Sequence, residues 1–289
     1  MIRTKLDIDS NDNSLFVTAQ CNNRCLMCSQ PPLNRNDIDK LFEKNLLILD
    51  SAPSGLKDIG ITGGEPTLLE EKLFDLLEKI KSKLPDNQIH ILSNGKAFAK
   101  RDFTKELGRV GDGKLLMGIP LHSDYGPDHD QITQVKGSFV ETMKGLYNLA
   151  EFGIKIELRI VVSKLNFNRL YSLSSFIYKN LPFVSYISFM GLEDTGYTVK
   201  NYERVWIDPD MYQIQLEKAV LNLATWGMDV SVFNLPHCCL PESLHEFARK
   251  SISDWKVKYL PSCQKCSVIL DCCGLFSTSK NELLTSPII

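Results

Sequence analysis

Between Leu15 and Met190, six short apolar runs alternate with stretches that carry their apolar residues at helical spacing. The candidate strands are Leu15–Ala19, Asp58–Thr62, Gln88–Ser93, Lys114–Leu121, Lys155–Val162 and Val184–Met190. From Thr67 to Leu84 the residues Leu69, Leu73, Leu76, Leu77, Ile80 and Leu84 share one helical face. Pro85 ends that run, because proline brings no N–H and clashes with the preceding turn. A second helix runs from Ser138 to Phe152 on Phe139, Met143, Leu146 and Leu149, and stops at Gly153. Strand and helix in rotation predict βα units around a parallel sheet. From Asn201 the rotation stops, and Pro209 to Trp226 reads as one amphipathic helix. This divides the chain at residues 1–200 and 201–289.

In parallel α/β barrels chemistry gathers at the C-terminal strand ends, and polar groups follow the apolar runs here. They are Ser93-Asn94-Gly95, His122-Ser123-Asp124, Ser163 with Asn166, and Gly191-Leu192-Glu193. Each also has a structural reading. Asn94-Gly95 can be a turn, and His122 a satisfied core histidine. Arg159 can pair a carboxylate or bind one on a ligand, and Glu193 and Asp194 can belong to a solvated loop.

Composition excludes more than it selects. The 289 residues are 43% hydrophobic and 24% charged with a net charge of −2, which rules out disorder, collagen and coiled coil. The opening MIRTKLDIDSNDNS is too polar for a signal peptide, and no apolar run approaches the ~20 residues that span a bilayer, so a cytoplasmic location is expected. The near-neutral charge disfavours a nucleic-acid partner.

Nine cysteines stand out in a chain with no export signal, where clustered thiols point to metal or catalysis more than to disulfides. Cys21, Cys25 and Cys28 form a C-x3-C-x2-C loop after the strand-like Leu15-Phe16-Val17. Three thiolates suit three irons of a [4Fe-4S] cluster and leave the fourth iron open. Structural zinc wants a fourth ligand, and the next histidine is His90. Gly63-Gly64-Glu65-Pro66 follows the strand-like Ile59 to Thr62. Its glycines allow close approach of the backbone to a ligand, with a carboxylate alongside. The other six cysteines are Cys238, Cys239, Cys263, Cys266, Cys272 and Cys273.

The C-x3-C-x2-C loop followed by GGEP resembles the signature of the radical S-adenosylmethionine (radical SAM) superfamily. That resemblance implies an α/β fold, a partial (β/α)6 barrel, with a [4Fe-4S] cluster on Cys21, Cys25 and Cys28. The amino and carboxylate groups of SAM would take the open iron. Gly63, Gly64, Glu65 and Pro66 would meet its amino group, with Ser93, Asn94 and Arg159 as further SAM-binding candidates. Met27 departs from the pattern, which usually has an aromatic residue before the third cysteine; a flexible thioether can still pack against adenine. The C-x2-C-x5-C of Cys263, Cys266 and Cys272 resembles part of the SPASM module. It implies a short SPASM/twitch-like C-terminal region holding a second, auxiliary [4Fe-4S] cluster on Cys263, Cys266, Cys272 and one of Cys238 or Cys239, with Cys238 preferred. A zinc knuckle on the same thiolates is the structural alternative.

QCNNRCLMCSQPP, FMGLEDTGY and the tail SISDWKVKYLPSCQKC…CCGLF together resemble the C-type radical SAM maturases of the His-Xaa-Ser peptide system. This implies reductive cleavage of SAM to a 5′-deoxyadenosyl radical and hydrogen abstraction from a ribosomally made peptide, one carrying His-Xaa-Ser repeats. The implied partners are a second radical SAM protein, a small presenting protein and an external electron donor. About 14 residues precede the first strand, too few for a leader-binding domain, so presentation by a separate protein is expected, with direct binding at the barrel mouth as the alternative. The rival readings are a radical SAM enzyme acting on a small molecule and a non-enzymatic iron-sulfur redox protein.

Overall fold

The computed structural model describes residues 5–10, 12–56, 58–253, 255–279 and 288; Asp254 of the C-terminal motif lies outside them. In chain order the first elements are β1 (Ser14–Phe16), α1 (Ile38–Asp50), β2 (Asp58–Thr62), α2 (Glu71–Lys83), β3 (Gln88–Leu92), α3 (Arg101–Gly111) and β4 (Leu115–Pro120). Next come α4 (Gly126–Thr133), α5 (Ser138–Glu151), β5 (Lys155–Val161), α6 (Leu170–Asn180) and β6 (Tyr186–Met190). Two short helices, α7 (Tyr197–Lys200) and α8 (Tyr202–Val205), lead to α9 (Gln213–Thr225) and β7 (Val230–Phe233). The two-residue strands β8 (Ala248–Arg249), β9 (Val257–Lys258) and β10 (Leu275–Phe276) close the series.

The chain folds as two compact units that interleave along the sequence. The first holds Met1–Arg24, Gln30–Pro120 and Gly137–Glu157; the second holds Cys25–Ser29, Leu121–Lys136 and Leu158–Ile289.

In the first unit β1, β2, β3 and β4 pair in parallel, each with the next. Alternation decides which side of each strand is buried. Ile59 and Ile61 of β2 align with Ile89 and Ile91 of β3, which align with Leu115 and Met117 of β4. All six are buried. Helix α2 covers apolar surface with Leu73, Leu76, Leu77 and Ile80, each fully buried. Such side chains contribute about 1.5–3 kcal/mol apiece. The sequence run began at Thr67, but Pro66–Leu69 is a 3-10 turn and α2 proper starts at Glu71.

In the second unit β6, β7 and β8 pair in parallel. Here the sequence reading needs correction, because the βα rotation does not stop at Asn201. Helix α9 buries Leu216, Ala219, Val220 and Leu223 and leads into β7, whose Val230 and Val232 align with Ile187 and Phe189 of β6. At four residues, with a serine between its valines, β7 carries too little apolar pattern to stand out. Strands β9 and β10 form a separate antiparallel pair. Among the described residues no helix is long and apolar enough to cross a membrane.

Candidate functional site

In the first unit the approach to the cysteine loop is stitched to GGEP by main-chain hydrogen bonds. Val17 N–H donates to Thr62 O (2.9 Å), Gly64 N–H to Thr18 O (2.7 Å) and Glu65 N–H to Gln20 O (2.8 Å). Both glycines are required by their neighbours. A Cβ on Gly63 would lie 2.5 Å from Thr18 O, and one on Gly64 would lie 2.0 Å from Gln20 O. The close approach expected of them is therefore to the chain itself. Asp37 holds the same segment from the other side, accepting from Thr18 Oγ1 (2.7 Å), Ala19 N–H (3.1 Å) and Arg35 Nε (3.0 Å). Burial alone would raise its carboxyl, but these donors outweigh burial and hold it below the usual carboxylate range.

Glu65 is fully buried. Its Oε1 accepts from Thr67 N–H (3.0 Å), Thr67 Oγ1 (2.7 Å) and Ser93 Oγ (2.8 Å), and Oε2 accepts from Asn94 N–H (2.7 Å). Burial pushes this carboxyl up, while the four donors pull it back. The carboxylate ties the end of β2 to the end of β3. Asn94 carries the tie onward: its Nδ2 donates to Asn22 Oδ1 (2.6 Å) and, at a long 4.0 Å, to Cys21 Sγ. Gly95 follows at φ +84, so Asn94-Gly95 is a turn as well as a link to the loop. Lys96 Nζ donates to Asn22 O (3.2 Å).

The cysteine loop passes from the first unit to the second between Arg24 and Cys25. In the first, Cys21 Sγ accepts from Asn23 N–H (3.3 Å), and burial pushes its thiol up. Asn23 Oδ1 is buried without a partner. In the second, Cys28 N–H donates to Cys25 O (3.1 Å), Leu26 N–H to Ile132 O (2.9 Å) and Tyr197 N–H to Cys28 O (2.8 Å). Asn201 Nδ2 donates to Leu26 O (3.0 Å). Leu26 and Met27 pack with Ile132 and Val205. Cys21, Cys25 and Cys28 are half-buried and none is in a disulfide. The chemistry of these donors suits an iron-sulfur cluster, since all three thiols are free and Asn23 N–H and Asn94 Nδ2 turn to the Cys21 sulfur.

Further along the second unit, Arg159 is half-buried on β5 and its carbonyl accepts from Leu121 N–H (3.1 Å). Glu193 is tied down, with Lys256 Nζ 3.2 Å from Oε2. Asn166 Nδ2 donates to His122 O (3.0 Å), and Asp124 pairs with Arg169 (2.8 Å). His122 is buried with neither ring nitrogen partnered, so it is not the satisfied core histidine of the structural reading. Its N–H donates to His129 Nδ1 (3.3 Å), and the ring centroids are 5.3 Å apart. Burial holds the His122 ring well below the ordinary histidine range and His129 at about 4.

These shifts fix the sign of a pH effect. The unfolded chain protonates His129 near the ordinary value of about 6.5, while the folded chain resists until about 4. Stability is therefore complete above about pH 6.5 and declines as pH falls towards 4, by about 3 kcal/mol for His129 alone. Urea midpoints should fall between pH 7.5 and 5, and less steeply in His129→Gln; equal slopes would contradict this assignment.

The C-terminal cysteines lie in the second unit. Cys238, Cys263, Cys266 and Cys272 line one recess, open to solvent, with His237 and Tyr259. Cys239 and Cys273 are buried and are not among the lining residues. Tyr259 Oη donates to Cys272 O (2.9 Å), and Gly274 N–H donates to Cys272 Sγ (3.4 Å). The Cys273 thiol, then the Gly274 and His237 donors, pull the Cys272 thiol down to about 5. Hydrogen bonding to Cys238 and burial push Cys239 up. Among the described residues no three Cys, His, Asp or Glu side chains are gathered tightly enough for a single metal ion.

Three contributors escaped the sequence. Asp37 and Thr67 act through partners that only the fold supplies. His237 had a signal, its adjacency to Cys238-Cys239. A second recess of about 360 Å³ includes Gly191, Trp206, Tyr212, Asn234 and Phe276, and Asn234 belongs to the strand end that went unrecognised.

The chain is 29% identical over 233 residues to the GTP 3′,8-cyclase of Campylobacter jejuni subsp. doylei, covering 75% of this chain and 69% of that protein. It is 29% identical over 182 residues to the GTP 3′,8-cyclase of Helicobacter pylori, covering 60% of this chain and 54% of that one. It is 30% identical over 157 residues to the Fe-coproporphyrin III synthase of Methanosarcina barkeri, covering 52% of this chain and 36% of the relative. The chain thus spans between about a third and two thirds of the length of these relatives. In fold it resembles anSMEcpe with bound AdoMet and Cp18Cys peptide, with a TM-score of 0.63 at 14% identity over 95% of this chain and 91% of that one. Streptococcus suis SuiB bound to S-adenosylmethionine gives 0.59 at 18% identity over 76% and 50%. The model of the radical SAM superfamily matches residues 15–173, more than half the chain. The chain is therefore an enzyme of the radical SAM superfamily, with the α/β fold, the parallel sheet and the [4Fe-4S] cluster and SAM that this membership implies.

Proposed function

We propose that Cys21, Cys25 and Cys28 hold the SAM-binding [4Fe-4S] cluster and that the substrate is a small organic molecule, a nucleotide being the first to test. Held by these cysteines, a reduced [4Fe-4S] cluster would supply the electron for reductive cleavage of bound SAM, the chemistry by which such enzymes start hydrogen abstraction from a substrate. The chain's own residues position the loop and its carboxylate. Asn23 N–H and Asn94 Nδ2 turn towards the Cys21 sulfur. With the Glu65 carboxylate engaged by Thr67, Ser93 and Asn94, GGEP serves SAM through its main chain. Arg159 is the candidate for the SAM carboxylate. The observation that carries the small-molecule reading is the 29% identity to a GTP 3′,8-cyclase over 75% of the chain.

A second cluster is proposed in the recess lined by Cys238, Cys263, Cys266 and Cys272. Four thiolates complete a closed [4Fe-4S] cluster. Cys238→Ala should cost the iron of this cluster, while Cys239→Ala, which lies off the recess wall, should keep it.

One observation favours a ribosomally made peptide as the alternative substrate. Two of the three segments that resemble the His-Xaa-Ser maturases, 20–32 and 189–197, are joined in the second unit by the Tyr197 N–H bond to Cys28 O. The partners of that reading are a presenting protein, a second radical SAM protein and an electron donor. Anaerobic assays with GTP and, separately, with a synthetic His-Xaa-Ser repeat peptide decide between the two. GTP-dependent stimulation of 5′-deoxyadenosine formation is the expected result; stimulation by the peptide alone would overturn the small-molecule reading.

A further inference from the structure

The half of the cysteine loop in the second unit, Cys25 to Cys28, is closed by the bond from Cys28 N–H to Cys25 O (3.1 Å). Its three successive carbonyls at Leu26, Met27 and Cys28 all accept from one short segment beyond β6. Leu26 O accepts from Asn201 Nδ2 (3.0 Å), Met27 O from Thr198 Oγ1 at a long 3.5 Å, and Cys28 O from Tyr197 N–H (2.8 Å). Leu26 is gripped at both main-chain groups, because its N–H donates to Ile132 O (2.9 Å). Asn201 Nδ2 also donates to Tyr197 O (3.0 Å), which ties the segment to itself. The segment turns into place at Gly196, whose φ of +58 favours glycine. Beyond it, Val205 is fully buried and packs with Leu26 and Met27, and its carbonyl accepts from Lys164 N–H (2.9 Å). Helices α7 and α8 have four residues each. Helices that short do not persist alone, so tertiary contacts of this kind hold them.

We propose that Asn201 is the positioning residue for Cys25 and Cys28, clamping with Thr198 and the Tyr197 amide the main chain from which both thiolates project. The inference rests on the reading that these two cysteines ligate the SAM-binding cluster. A ligand on a loop holds its metal only as firmly as the loop is held, and outer-shell bonds supply that order. Asn201 acts through the Leu26 carbonyl, between the two ligands, rather than as a ligand. The coupling runs both ways. A clamp that tightens cluster binding is itself tightened when the cluster binds.

The test uses the full chain after anaerobic reconstitution and reads two properties of the cluster. One is the rate at which a chelator removes iron; the phase missing from Cys28→Ala belongs to the SAM-binding cluster. The other is the change that added SAM makes in the EPR signal of the reduced cluster. Asn201→Asp keeps the size of the side chain and exchanges the Nδ2 donor for an acceptor, while Asn201→Gln keeps the amide. Asn148→Asp is the matched control, since Asn148 Nδ2 donates to Phe98 O (2.7 Å), a carbonyl outside the loop. The expected result is iron loss about 10–100-fold faster in Asn201→Asp, with a weakened SAM response, and a smaller effect in Asn201→Gln. Asn148→Asp should match the wild type in both. An Asn201→Asp chain that behaves like Asn148→Asp in both would overturn the inference. Hydrogen exchange tests it without touching Asn201: residues 197–205 should exchange more slowly in reconstituted wild type than in reconstituted Cys28→Ala. Equal exchange would also overturn it. A Cys28→Ala chain that keeps its iron and its SAM response overturns the ligand reading itself, a failure visible before Asn201 is changed.

Discussion

Cys28→Ala is expected to abolish 5′-deoxyadenosine formation and to remove the SAM-binding cluster while leaving the fold in place. The structure separates the two roles of this residue. Its main chain accepts from Tyr197 N–H and donates to Cys25 O, bonds that alanine keeps. Its sulfur is the part a cluster needs, since iron-sulfur clusters of this kind are held by thiolates. Iron analysis should fall by the content of one cluster, with circular dichroism unchanged. A variant that kept both its iron and its SAM cleavage would remove Cys28 from the ligand set.

Gly64→Ala carries the second large effect, and it acts through the backbone. The added Cβ would sit 2.0 Å from Gln20 O and 2.5 Å from Gln20 C, which no side-chain adjustment can relieve. The end of β2 must then move off the approach to the cysteine loop. That movement breaks the Gly64 N–H bond to Thr18 O and the Glu65 N–H bond to Gln20 O. Overpacking and two lost hydrogen bonds together cost about 3 kcal/mol. In a chain of this size that is a fall of about 6–12 °C in Tm. Gly113→Ala provides the contrast, since its Cβ would meet nothing within 4 Å and only its φ of +73 opposes the change; it should cost about 1 kcal/mol. Equal losses in the two variants would refute the close-approach argument.

The elements legible in the sequence were those with a strong local period. Strands at Asp58–Thr62 and Gln88–Leu92 announce themselves by alternating isoleucines, and α5 by its spacing from Ser138. Strand β1 was expected at Leu15–Ala19 but ends at Phe16, because Thr18 and Ala19 turn to Asp37. Those contacts join residues 19 and 18 positions apart and leave no local trace. Strand β7 was missed because four residues hold less than a full pattern.

In the candidate site the residue types were legible, and their partners were not. Gly63 and Gly64 marked a close approach, yet what approaches is the chain's own backbone. Glu65 marked a carboxylate, yet its four donors come from Thr67, Ser93 and Asn94, residues joined only when β2 and β3 align. The C-terminal spacing singled out Cys263, Cys266 and Cys272, and the recess that Cys238 and His237 share with them exists only in the fold.

The central claim is that this loop and GGEP make a SAM-cleaving centre. It is tested most directly by incubating anaerobically reconstituted, reduced protein with SAM and measuring 5′-deoxyadenosine. The account predicts its formation in the wild-type chain and its absence once Cys21, Cys25 and Cys28 are replaced. A wild-type chain whose three cysteines demonstrably hold a reduced cluster, and which still yields no 5′-deoxyadenosine, would contradict it.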